Sequence, residues 1–216
     1  MATDSSFSWE RYYQAPIVGI VRSLPLDTIR PITQVYQDAG LFTLEITMNT
    51  PGAPKIISLL RKEFPGMNIG AGTVCTMNDL TLALNAGAQF IVTPILDERV
   101  VKHTVARQIP IFPGAYSPTE IHQAWSWGAA AVKVFPATQL GVQFIKDILA
   151  PLNQIKLLPT GGVSQENIRS FFVAGAVGVG MGSSLLDKQL IEEKDFDSLN
   201  QHFIKIKGEI QDFIQS

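Results

Sequence analysis

Ile155-Lys156-Leu157-Leu158 is a short β-rich run, Pro159-Thr160-Gly161-Gly162-Val163-Ser164 a turn carrying paired glycines, Gln165 to Ala174 a helical pattern stopped by Gly175, and Val177-Gly178-Val179-Gly180 a second β-rich run. A strand, a helix and a strand in succession make a crossover unit whose two strands run parallel. Gly175 stands just past the helix, where glycine takes a left-handed conformation at little steric cost. The same kind of stop recurs at Ala39-Gly40, Ala86-Gly87 and Trp127-Gly128, so glycines 40, 87, 128 and 175 stand 47, 41 and 47 residues apart. That period is about two strand–helix units, and the chain reads as four related quarters.

Outward from this unit, β-rich runs lie at 16–21, 41–46, 67–71, 89–92, 109–112, 130–134, 155–158 and 177–180. Helical patterns at 27–39, 53–64, 78–86, 97–108, 118–127, 142–149 and 165–174 separate them. After the eighth run, Phe196, Leu199, Phe203, Ile206, Ile210 and Phe213 recur at three- and four-residue steps, which is one apolar helical face. Eight such units predict an α/β fold of the (β/α)8 TIM barrel kind, a single domain over 1–216 with 1–15 as an N-terminal extension or capping helix. The alternative is a doubly wound open sheet, but its dinucleotide fingerprint is missing: Gly70-Ala71-Gly72-Thr73 has two glycines and lacks the third.

Composition narrows the function classes. The 216 residues are 46% hydrophobic and 17% charged, enough apolar material to offset chain entropy and exclude whole-chain disorder. Lys plus Arg number 17 against 19 Asp plus Glu, so no basic excess draws the chain to a phosphate backbone. No apolar run approaches the roughly 18 residues that span a bilayer. The first fifteen residues lack the apolar centre of a signal peptide, and the single Cys75 can form no internal disulfide. These features predict a cytoplasmic protein with no nucleic-acid or membrane partner.

In a barrel the chemistry belongs where the strands finish. Residues of unusual type gather there: Arg22 after strand one, Glu45 and Thr47 on strand two, Thr73, Thr93-Pro94, Pro113, Lys133 on strand six, Thr160-Gly161-Gly162, and Gly182-Ser183. Lys133 lies in Ala129-Ala130-Ala131-Val132-Lys133-Val134-Phe135-Pro136, an apolar run in which a lysine is costly unless paired or used. Strand alternation sends Val132 and Val134 toward the helices and Ala131, Lys133 and Phe135 toward the barrel axis. An ammonium there is poorly solvated, which favours the neutral, nucleophilic amine. The same alternation places Thr43, Glu45 and Thr47 inward, so a carboxylate and an amine can share one interior and pass protons. The bland alternative is an ion pair between Glu45 and Lys133 that only holds two strands together.

Two neighbouring loops carry a third pattern, Pro159-Thr160-Gly161-Gly162-Val163-Ser164 and Gly178-Val179-Gly180-Met181-Gly182-Ser183-Ser184. Glycines let backbone N–H groups approach an anion, and barrels bind phosphate after strands seven and eight. Tight turns are the alternative role for these glycines. His103, His122 and His202 show no ligand spacing, Cys75 reads as an inert small residue, and Trp125 and Trp127 as helix packing or a subunit contact. The stretch 185–197, with Glu192-Glu193-Lys194-Asp195, reads as a solvated linker.

Glu45-Ile46-Thr47, Gly70-Ala71-Gly72-Thr73-Val74, Ile91-Val92-Thr93-Pro94, Phe112-Pro113-Gly114, Lys133-Val134-Phe135-Pro136-Ala137, Pro159-Thr160-Gly161-Gly162-Val163 and Gly182-Ser183 occur in order between about Pro16 and Leu186. The ordered set resembles the 2-keto-3-deoxy-6-phosphogluconate / 4-hydroxy-2-oxoglutarate (KDPG/KHG) aldolase family. The resemblance implies a metal-free class I aldolase without cofactor, a homotrimer acting on a phosphorylated 2-keto-3-deoxy sugar acid and pyruvate. By that resemblance Lys133 forms a Schiff base and Glu45 is the acid/base. Arg22, Thr47, Thr73, Pro94, Phe135 and Thr160 are the expected substrate contacts, and Gly161, Gly162, Gly182 and Ser183 the expected phosphate contacts. Some members carry arginine where this chain has Asn49, and others carry one at the end of strand one, which Arg22 matches. Asn49-Thr50-Pro51 leans toward the galactonate branch and Thr160 toward the gluconate branch, which is preferred. Two rivals stand beside the aldolase. One is another phosphate-binding barrel enzyme, such as an epimerase or a thiamine-phosphate-type synthase. It needs further acidic residues at the strand ends, where Glu45 alone is found. The other is a non-catalytic phosphosugar-binding barrel.

Overall fold

A computed structural model describes residues 6–214. The expected extension over 1–15 therefore lies partly outside the described residues. Within them, α1 (Trp9–Gln14) opens the fold and is capped by Ser8, whose side chain accepts from the amide of Arg11. Strand and helix then alternate: β1 (Ile17–Val21), α2 (Leu26–Asp38), β2 (Thr43–Thr47), α3 (Ala53–Glu63), β3 (Asn68–Gly72), α4 (Met77–Asn85), β4 (Ile91–Val92) and α5 (Glu98–Val105). They continue through β5 (Ile111–Phe112), β6 (Gly114–Ala115), α6 (Pro118–Ser126), β7 (Val132–Val134), α7 (Ala137–Leu149), β8 (Leu157–Pro159), α8 (Ile168–Val173) and β9 (Val179–Met181), followed by α9 (Lys188–Glu193), α10 (Phe196–Gly208) and a 3-10 turn at Gln211–Phe213.

All pairings are parallel, as crossover connections require. They form a six-stranded sheet of order β5-β4-β3-β2-β1-β9 and a three-stranded sheet of order β6-β7-β8. The first strand pairs with both the second and the last, which is not the order reversal of a doubly wound sheet. The run expected at 109–112 contains β5, and the expected eight-stranded ladder divides just beyond it at Pro113, which has no N–H to donate and separates β5 from the additional short strand β6. At the other junction, β8 and β9 meet through one bridge, Thr160 to Gly180.

The expected linker over 185–197 contains a helix. Asp187 caps α9 by accepting from the amide of Leu190 at 3.0 Å, and Ile191 is buried. Six residues with a single buried anchor carry too little periodicity to betray a helix in the sequence. The expected helix at 142–149 begins earlier, at Ala137, but its path breaks at Gly141, with φ 72° and ψ 177°. Among the described residues, no helix is long and apolar enough to cross a membrane.

Alternation along the strands creates two cores. Leu44, Ile46, Ile69, Ala71, Val132 and Val134 face the helices. Val18, Phe90, Val92, Phe112, Ala131 and Leu158 form an inner cluster. The N-terminal segment closes that cluster at the end where the strands begin. Phe7 packs edge-on to Phe90 at 5.4 Å between centroids, Tyr12 stacks on Phe112 at 6.2 Å, and both N-terminal rings are buried. Asn68 holds Ser8 by exchanging two hydrogen bonds with its backbone (2.8 and 2.9 Å), and Gln89 donates to the carbonyl of Ser6. The seal leaves the opposite end, where the strands finish, open for a ligand.

Candidate active site

Lys133 sits in the middle of β7 with its neighbours Val132 and Val134 turned outward, and only 5% of it is exposed. Its Nζ lies 4.8 Å from the centroid of the Phe135 ring. Burial pushes the ammonium down from its ordinary range, against the pull of Glu45, and Arg22 adds repulsion.

Glu45, on β2, is 1% exposed. Burial pushes its carboxyl up, opposed by the nearby charges of Lys133 and Arg22. Glu45 Oε2 has no hydrogen-bond partner, and no salt bridge joins the carboxyl to Lys133 among the described residues. The strand-holding ion pair is thus not formed. What stands in its place is an amine biased toward its neutral form and a carboxyl biased toward its acid form, which is the pairing that proton transfer near neutral pH needs. The sequence makes room for the carboxyl at Gly72. A Cβ there would lie 2.2 Å from Glu45 Oε1.

A cavity of about 550 Å³ opens above Lys133 and gathers eight of the expected residues: Arg22, Lys133, Phe135, Thr160, Gly161, Gly162, Gly182 and Ser183. Gly161 and Gly162 have φ of 88° and 77°, backbone that side-chain-bearing residues rarely adopt. Asn167 fixes their loop by donating to the carbonyl of Gly162 and accepting from the amide of Ser164, both at 2.9 Å. The hydroxyl of Ser184 donates to the carbonyl of Val163, so the two glycine loops are tied together. Thr160 is buried at the strand end, with its Oγ1 over Gly180, where a Cβ would come within 2.4 Å.

Glu45 is buried outside the cavity lining, and Thr47, Thr73 and Pro94 are also outside it. Thr47 is fully buried and its Oγ1 is 3.0 Å from that of Thr50. Thr73 follows β3 with φ 54°, and Pro94 follows β4; both are half-buried. Asn49 is exposed and off the cavity, so the strand-one arginine is the guanidinium at this site. Sequence reasoning missed the α9 wall, where Lys188, Ile191 and Glu192 line the cavity and Lys188 lies 3.5 Å from Glu192. The cap at Asp187 was the signal available for it. Burial and Asp79 push the Cys75 thiol up, away from thiolate character. Among the described residues, no group of three His, Cys, Asp or Glu is placed to hold a metal ion.

A family model for KDPG and KHG aldolase matches residues 9–202. A 2-dehydro-3-deoxy-phosphogluconate aldolase of Haemophilus influenzae is 35% identical over 193 residues, covering 89% of this chain and 91% of the relative. A 2-dehydro-3-deoxy-6-phosphogalactonate aldolase of Escherichia coli is 33% identical over 172 residues, 79% of this chain and 84% of the relative. Among solved structures, a KDPG aldolase from Legionella pneumophila with pyruvate captured at low pH as a covalent carbinolamine intermediate superposes with a TM-score of 0.84. It is 27% identical and covers 91% of this chain and 96% of that one.

Proposed function

The chain belongs to the KDPG and KHG aldolase family, and on that premise we propose that it is a class I lyase that reversibly cleaves 2-keto-3-deoxy-6-phosphogluconate to pyruvate and glyceraldehyde 3-phosphate. 4-Hydroxy-2-oxoglutarate, giving pyruvate and glyoxylate, is a second substrate of the same chemistry. The observation that carries this reading is Lys133, a buried amine pushed toward neutrality at the floor of an open cavity, beside a carboxyl that no salt bridge engages.

The neutral amine of Lys133 attacks the C2 ketone, forming a C–N bond and a carbinolamine. Glu45 protonates the departing hydroxyl, water leaves, and an iminium remains. Glu45, directly or through water, then takes the proton of the C4 hydroxyl. The electron pair of the C3–C4 bond flows into the iminium, and the aldehyde departs. Protonation at C3 of the enamine and hydrolysis release pyruvate and restore Lys133. Arg22 and Thr73 hold the carboxylate, Phe135 and Pro94 flank the reacting carbons, and Gly161, Gly162, Gly182 and Ser183 hold the phosphate. The reacting bond is thus positioned from both ends.

The gluconate configuration is favoured by Thr160, a cavity-lining residue whose hydroxyl donates to the carbonyl of Leu158 at 3.3 Å and so keeps its lone pairs to accept from a substrate hydroxyl. Closure of the two sheets into one (β/α)8 barrel is supported by the β1–β9 pairing, the Thr160–Gly180 bridge, and hydrogen bonds from the amides of Ala130 and Lys133 to the carbonyls of Ile111 and Pro113. A homotrimer is expected from the family resemblance. The cytoplasmic assignment rests on composition.

The test is borohydride reduction in the presence of pyruvate, read by intact mass and peptide mapping. A reduced adduct on Lys133, absent in folded Lys133→Ala, is expected. A folded protein that traps no pyruvate would overturn the reading.

A further inference from the structure

Arg22 is exposed and follows the last residue of β1. The β1–β2 register ends at Val21 opposite Ile46, so no ladder partner reaches the arginine. The next residue, Ser23, has φ 55°, a left-handed backbone that a side-chain-bearing residue holds only when its surroundings require it. That requirement comes from the neighbouring loop. The amide of Ser23 donates to Thr50 Oγ1 at 2.9 Å. Thr50 is 3% exposed, its Oγ1 lies 3.0 Å from that of Thr47, and its amide donates to the carbonyl of Thr47 at 2.8 Å. Thr47 is the last residue of β2. Two buried hydroxyls thus continue the β1–β2 connection past the point where the ladder stops, and their end point is the turn that carries the guanidinium.

We infer that Thr50 is a positioning residue for substrate binding: through the amide of Ser23 it fixes the base of Arg22, so that the guanidinium meets the carboxylate of a 2-keto acid without first ordering its turn. A long side chain on a fixed base loses less freedom on binding than one on a mobile base. The inference rests on Arg22 as the carboxylate contact. It also gives Thr47 a part different from touching substrate, since its hydroxyl braces Thr50.

The experiment measures the half-saturating pyruvate concentration for borohydride-trapped adduct in the parent, Thr50→Val, Thr50→Ser and Arg22→Ala proteins, with thermal unfolding alongside. A carboxylate contact made equally before and during reaction acts on half-saturation and not on the maximal rate. Thr50→Val should therefore raise half-saturation about tenfold and leave the maximal trapping rate within about twofold. Thr50→Ser, which keeps the acceptor oxygen, should restore the parent value. Thr50→Ala takes the place of valine if that variant does not fold. Half-saturation unmoved in Thr50→Val but raised in Arg22→Ala would overturn the inference. So would a fall in melting temperature and maximal rate with half-saturation unchanged, or failure of serine to rescue. An Arg22→Ala protein with parental half-saturation would instead remove the arginine from the site.

Discussion

Gly72→Ala tests whether the strand beside Glu45 sets the reach of its carboxyl. The added Cβ would stand 2.2 Å from Oε1 and 2.5 Å from Cδ. A carbon–oxygen contact relaxes at about 3.3 Å, so the carboxyl must retreat by about 1 Å. Displacements of that size cost about 10²-fold in rate, or about 2.7 kcal/mol of barrier. The backbone does not oppose the change, because Gly72 lies outside the left-handed region, and alanine at such a position stabilises by about 0.4–1 kcal/mol through the unfolded chain. Loss of rate and loss of fold are thus separable. The assay is steady-state cleavage of the phosphorylated sugar acid followed through pyruvate release, with circular dichroism and thermal unfolding in parallel. kcat should fall about 100-fold while the melting temperature stays within a few degrees. A kcat within threefold of the parent, in a protein with alanine confirmed at 72, would refute the reasoning.

Two further outcomes follow from the same geometry. Lys133→Met should raise the melting temperature, increasingly so toward acid pH. The folded amine is held below its ordinary range, so protonation favours the unfolded chain, and this cost is largest below the folded pKa and vanishes above the unfolded one. Each kcal/mol moves the midpoint by about 2–4 °C at this size; a gain that shrinks as pH falls from 8 to 5 would contradict the burial account. Lys188→Ala removes a cation from the cavity wall that also holds Ser183 and should raise KM for the phosphorylated substrate severalfold while leaving half-saturation by unphosphorylated pyruvate unchanged; equal effects on both would place Lys188 away from the phosphate.

The inward placement of Lys133 and Glu45 was legible because a strand's period of two is independent of its neighbours. The glycine loops were legible because closely spaced glycines, adjacent at 161–162 and alternate at 178, 180 and 182, end their strands. What the sequence could not convey was depth. Thr47 and Lys133 both point inward, yet Thr47 is spent on Thr50 while Lys133 faces the cavity. Parity gives the face, and only packing tells which inward residue meets solvent. The division at Pro113 and the six-residue α9 escaped for a related reason: each is set by one or two local interactions, a missing N–H and an Asp187 cap, too few to form a pattern. Arg22 over Asn49 was a matter of matching motifs in the sequence; in the fold Arg22 lines the cavity and Asn49 does not.

The seal made by Phe7 and Tyr12 has a consequence for biosynthesis. Its hydrogen bonds reach Asn68 and Gln89, 60 and 83 residues downstream, and its aromatic partners include Phe112. At about 5–20 residues per second, the ribosome needs roughly 5–20 s between Phe7 and Phe112. Throughout that interval both side chains lack the Phe112 ring that packs against each of them in the finished inner core. The nascent chain therefore carries two aromatic side chains in its N-terminal segment ahead of the rings that will cover them. Chaperone engagement should concentrate on this segment early in translation and end abruptly once the fifth strand has cleared the exit tunnel.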